Sequence, residues 1–157
     1  MDITAEFLEG LITCPKKIVT PPKREMTIQN QCRRNNFTAR SVNGSEDFCI
    51  RLRQSAILPE DFSIVLQWKS DGRNIIIFRC NGPHGGNRSI PSHFTPHVHR
   101  LNLELAAQGI FKESDTATTT EYSTFESAVR YFLLYCGIEG AGKYFPYVIQ
   151  PSLFDIE

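Results

Sequence analysis

Long apolar runs are missing from this chain. No stretch approaches the ~20 residues that a membrane helix needs, which excludes a helical membrane protein. An overall charge is missing too: 17 Lys and Arg stand against 17 Asp and Glu, so bulk electrostatics announce neither a nucleic-acid nor a membrane-surface protein. No pattern returns at a fixed period, which excludes solenoids and coiled coils, and the acidic start at Asp2 is unlike a secretion signal. Cysteine is present only as Cys14, Cys32, Cys49, Cys80 and Cys136, an odd number with no Cys-x-x-Cys pair. That fits neither a secreted disulfide framework nor a zinc knuckle, so a cytoplasmic setting is expected and no cofactor is.

What the chain does hold is an ordinary share of hydrophobic residues, 41%, over a length that suits one core. A single α+β domain over residues 1–143 is expected, followed by an irregular tail over 144–157. Ile3, Phe7, Leu8, Leu11 and Ile12 recur at helical spacing after Asp2, a suitable N-cap, and Pro15 closes the run. The middle reads as β. Residues 36–42 form a strand, Asn43-Gly44 a hairpin turn, and Phe48, Ile50 and Leu52 alternate with Arg51 and Arg53 on the opposite side. Phe62, Ile64, Leu66 and Trp68 alternate again, and Ser70–Arg73 supplies another turn. Ile75-Ile76-Ile77-Phe78 is apolar on both faces and predicts a central strand covered on both sides.

Short strands near His97–Leu101 and over Thr116–Thr120 follow, with Asn102 capping a short helix that Gly109 ends. Ser123-Thr124-Phe125-Glu126 reads as a capping box for a helix whose stripe is Phe125, Ala128, Val129, Phe132, Leu133 and Cys136. The expected architecture is an antiparallel sheet of four to six strands with a β-meander core. The N-terminal and C-terminal helices should pack on one face.

The neutral total hides a lopsided distribution. Residues 16–40 carry a net +6 and residues 101–157 a net −5. The plainer reading is a solvated basic loop beside an acidic helical end, and the sharper one is a phosphate-facing surface.

All four histidines, His84, His93, His97 and His99, fall within sixteen residues. On a strand, His97 and His99 point to the same face because the side-chain period is two. Three readings of the cluster stay open. His97, His99 and His84 could ligate a metal, although no acid lies between Asp71 and Glu104 to join them. Two histidines could act as general acid and base on a phosphodiester, with His84 positioning one of them. Arg79, Arg88 or Arg100, together with Asn81, would then hold the phosphate-bearing ligand. The imidazoles could instead hydrogen-bond backbone and brace a loop. If the strand is regular, Arg100 faces away from His97 and His99, which favours Arg79 or Arg88.

Three short patterns stand apart. His93-Phe94-Thr95 matches one half of a two-histidine phosphoesterase signature, which needs two copies. Residues 137–143 fit GxxxxGK, but they follow a helix and Tyr144 stands where a magnesium-binding hydroxyl is required. Gln150, Leu153 and Phe154 match the short peptide by which bacterial replication proteins dock on the sliding clamp, a candidate partner contact.

The run Glu60-Asp61-Phe62-Ser63-Ile64, the stretch Phe78-Arg79-Cys80-Asn81-Gly82-Pro83-His84-Gly85, then Pro96-His97-Val98-His99, and finally Tyr122–Glu126 together resemble a family of small bacterial domains of unknown function. The resemblance covers residues 7–138 and implies Arg79, Asn81, His84, His97 and His99 as functional positions. A strand ending in Pro-His before a His-rich strand is also similar to certain small toxins of toxin–antitoxin pairs. Those carry acidic and Lys residues where this chain has Cys80 and Val98. The expectation is a small cytoplasmic protein of bacterial or phage origin that handles RNA or another phosphate-bearing ligand, in the manner of a toxin-like ribonuclease. A non-enzymatic inhibitor or antitoxin-like protein partner and a His-ligated metal enzyme are the alternatives.

Overall fold

The computed structural model of the protein describes residues 2–83, 95–113 and 117–145. Thr4, not Asp2, starts the first helix, α1 (Ala5–Thr13): its hydroxyl accepts the Phe7 amide at 3.0 Å. Leu8, Leu11 and Ile12 on its inner face are buried. Among the described residues nine strands follow: β1 (Lys16–Thr20), β2 (Thr27–Gln29), β3 (Cys32–Ser41), β4 (Asp47–Ser55), β5 (Phe62–Ser70), β6 (Arg73–Asn81), β7 (His97–Arg100), β8 (Ala117–Thr118) and β9 (Ile138–Glu139). The helices α2 (Leu103–Ala107) and α3 (Phe125–Tyr135) lie between the later strands.

All nine belong to one sheet, ordered β8-β7-β6-β5-β4-β3-β1-β9, with β2 beside β1 on the same flank of β3. Every pairing is antiparallel except β1 with β9. The meander β3–β6 is as expected, but the sheet is larger than four to six strands. The strands beyond the expectation, β1, β2 and β9, have only two to five residues, too few to print an alternation. The basic segment 16–40 is therefore largely strand and not a loop.

Two registers across β3–β7 define the inner face: Phe37, Ile50, Leu66, Phe78, Arg100 and, beside it, Asn35, Leu52, Ile64, Cys80, Val98. The helices pack on this face. Phe132 of α3 stacks on Phe78 with centroids 6.1 Å apart, Phe125 meets Phe62 edge-on at 5.6 Å, and Phe7 of α1 meets Trp68 at 5.7 Å. Removing a ring such as Phe132 costs about 3–5 kcal/mol in cores of this kind. Thr124 caps α3 and its box partner is Ser127, one residue beyond the expected Glu126. Asn102 caps α2 as expected, accepting the Leu105 amide, and Gly109 follows with φ of 79°.

The apolar run in β6 has a cause other than burial on both sides. Leu66 pairs with Phe78 while Gln67 pairs with Ile76, so Ile77 is the extra residue of a β-bulge. The bulge turns both Ile77 and Phe78 into the core and leaves Ile76 half-buried on the other face.

Lys16 is wholly enclosed, 0% exposed. Its ammonium donates to the carbonyls of Ile12, Cys14 and Cys136 at 2.8, 2.9 and 2.7 Å, and it sits 4.7 Å from the Phe48 ring. One cation thus satisfies orphan carbonyls at the C-terminal ends of α1 and α3, where the helix dipoles favour positive charge. Burial without a carboxylate partner lowers its pKa from the ordinary lysine value. Among the described residues no helix is long and apolar enough to cross a membrane.

Candidate nucleic-acid interface

The opposite face of the sheet is covered by none of the three helices. Two cross-strand rows run over it from β3 to β7. One is Asn36–Arg51–Val65–Arg79–His99, and the other is Arg34–Arg53–Ser63–Asn81–His97. Strict alternation in β3, β4 and β5 places these side chains together, since Phe37, Ile50 and Ile64 between them are committed to the core. Arg34 and Arg53 are direct partners on neighbouring strands. The four arginines line one groove of about 490 Å³, rimmed by Gln29 and Asn30 at the β2–β3 turn.

Among the described residues, acids touch only two of the four. Arg53 is held by Asp61 at 2.9 Å, and Arg79 by Glu113 at 2.7 Å. Arg34 and Arg51 are exposed and have no ion-pair partner among the described residues. Between the arginines Val65 and Gln67 are buried. Arg79 Nε, Gln67 Oε1 and Asn81 Oδ1 are enclosed with no hydrogen-bond partner among the described residues, so polar capacity is left over at this end of the groove.

The rows end on the two histidines, whose rings lie edge to face with centroids 5.1 Å apart. They share a face as expected, yet they differ in kind. His97 is 0% exposed. Its Nδ1 lies 2.8 Å from the Thr95 carbonyl, which can only accept, so the proton resides on Nδ1. Asn81 Nδ2 lies 3.4 Å from its Nε2, and Tyr122 donates to the carbonyls of both Asn81 and His97 at 2.8 Å. His97 and Asn81 thus brace the junction of β6 and β7. His99 is less enclosed and sets Nδ1 3.5 Å from Glu113 Oε2. Burial raises the pKa of the Glu113 carboxyl above the ordinary value, outweighing the neighbouring Arg79, which lowers it.

No protein-family model, curated protein or solved structure matches this chain.

Of the residues singled out from the sequence, Arg79, Asn81, His97 and His99 come together. Arg100 does not: it lies on the helix face, where its guanidinium meets Glu9 at 2.6 Å and Tyr135 at 2.8 Å. Its register with Phe78 puts it on the inner row, so it ties β7 to α1 and α3 and cannot share a ligand with the histidines. His84, Arg88 and His93 lie outside the described residues, as do Gln150, Leu153 and Phe154. Among the described residues no group of three or more His, Cys, Asp or Glu is placed to hold a metal ion.

Sequence reasoning missed Glu113 and the arginine cluster. Glu113 arrives through a single β-bridge, Leu101 with Glu113, which leaves no periodic trace. Arg51 and Arg53 did carry a signal, since they alternate against Phe48, Ile50 and Leu52. Arg34 joins them only through the β3–β4 register.

Proposed function

We propose that the protein binds a phosphate-bearing polymer, RNA, across the sheet face that none of the described helices covers, with Arg34, Arg51, Arg53 and Arg79 taking the phosphates. The observation that carries this reading is the like-charge arrangement of the groove. Arg34 stands directly opposite Arg53, and Arg51 is two residues further along the same strand face. Like charges directly opposed across a sheet destabilise it, and among the described residues Asp61 and Glu113 alone offset them here. A polyanion repays that cost by neutralising the guanidiniums and releasing its own counterions.

The test is direct binding of a mixed pool of structured cellular RNA to the full chain, followed by electrophoretic shift at low and moderate salt. Expected is a shift that weakens steeply with salt and is reduced in Arg51→Ala. Absence of any shift at low salt would overturn the reading.

One observation favours a second reading, cleavage of the bound RNA: an imidazole, a carboxylate and a guanidinium (His99, Glu113, Arg79) adjoin at one end of the groove. That is the acid–base chemistry expected of a toxin-like ribonuclease, with His99 as the acid–base group in place of a His97–His99 pair. RNA left intact by wild-type protein under conditions where it binds would remove it.

A further inference from the structure

We infer that the RNA taken by this face is base-paired, read through its phosphates and sugar hydroxyls and not through its bases. The inference rests on the proposed function above and names the form of the ligand. The aromatic residues of the described strands, Phe37, Phe48, Phe62, Trp68 and Phe78, all belong to the core on the helix side. Among the described residues the lining of the arginine groove contains no ring. Phe111 lies on the rim of the adjoining hollow, with the Arg73 guanidinium 5.8 Å over its ring.

Sheet faces that take single strands draw much of their affinity from bases stacked on rings, about 1–3 kcal/mol per base. Among the described residues this face carries only the rings of His97, which is fully buried, and His99, whose side chain is 12% exposed beside Glu113, so it offers unpaired bases little surface to stack on. Phosphates remain equally available in a duplex, and there they are denser, about one charge per 1.7 Å of axis. From β3 to β6, the strands that carry its outermost arginines, the face spans roughly 14 Å, three steps of the ordinary inter-strand spacing. That reach lets arginines on β3 and β6 address both backbones across the wide, shallow minor groove of an A-form helix. The uncharged polar groups in the groove, Asn36, Ser63, Gln29 and Asn30, suit the 2′-hydroxyls displayed there.

The experiment compares three probes on the full chain by fluorescence anisotropy at one salt concentration: a 20-base-pair RNA duplex, the DNA duplex of the same sequence, and one RNA strand chosen not to self-pair. The expected order is duplex RNA at least about tenfold tighter than the single strand and about threefold or more tighter than duplex DNA. Arg51→Ala weakens the duplexes, and Asn36→Ala with Ser63→Ala narrows the gap between RNA and DNA. A single strand that binds as tightly as the duplex overturns the inference while the proposed function stands. Equal affinity for the two duplexes overturns the hydroxyl reading. Failure of all three probes overturns the proposed function itself.

Discussion

Replacing Arg34 and Arg51 together by alanine separates a binding surface from a structural one, because the two roles call for opposite signs. Both side chains are exposed and neither has an ion-pair partner among the described residues, so their removal strips no described salt bridge. Four phosphate contacts on a duplex give a slope of log K against log salt of about −3.6, and two give about −1.8. Between about 50 and 200 mM salt the wild type should therefore lose about 150-fold in affinity and the double variant only about 12-fold.

Stability should move the other way. Relieving the Arg34–Arg53 repulsion gains a few tenths of a kcal/mol after solvent screening, or about 1 °C in melting temperature for a chain of this size. The assays are anisotropy titrations at four salt concentrations and differential scanning calorimetry on the same preparations. A variant that melts several degrees lower would show the arginines to be structural. One that keeps the wild-type slope would refute phosphate contact by these two residues.

Lys16→Met removes three buried donor contacts and leaves the Ile12, Cys14 and Cys136 carbonyls without that partner. The cost should be about 2–4 kcal/mol, the charged hydrogen bonds being partly offset by relief from burying an ammonium, and a urea midpoint within error of wild type would sink this account. Gly82→Ala would set a Cβ 2.1 Å from the Glu60 carbonyl and 2.6 Å from the Phe62 ring. The backbone must then shift, at about 3 kcal/mol or more, and an unchanged denaturation midpoint would contradict that packing. Glu113 holds its proton more tightly folded than unfolded, so its contribution is complete below about pH 4.5 and is lost as pH rises through the raised value. Wild type should accordingly lose stability relative to Glu113→Gln between pH 4 and pH 7, as read by urea melts at both; the opposite trend would mean that the Arg79 charge outweighs burial.

How much of this was readable from the chain depends on which physical signal each part leaves. The alternations of Phe48, Ile50, Leu52 and of Phe62, Ile64, Leu66, Trp68 report one buried face each, and the β3–β6 meander follows from them. β1 leaves no such trace, because its most enclosed residue is Lys16, a side chain whose burial depends on carbonyls from two helices distant in sequence. The four-residue apolar run in β6 misleads for a related reason: a bulge spends two consecutive residues on one face, which period-two counting converts into two covered faces.

The site divides in the same way. Periodicity states on which side of its own strand a residue lies, and it correctly sets His97 with His99 and turns Arg100 away from them. It says nothing of register, and register is what makes a charged face into a groove. Arg34 becomes the partner of Arg53 only because the Asn43-Gly44 turn locks the β3–β4 offset, and Arg51 falls into line with Arg79 through Val65, by the β4–β5 register and the Asp71-Gly72 turn. A slip of two residues at the first turn, in the direction that pairs Arg53 with Asn36 and Arg34 with Ser55, would keep every arginine on the same face yet disperse the opposed charges. The turns therefore specify the binding surface as much as the arginines do, at a cost in cross-strand repulsion that the folded chain alone does not recover.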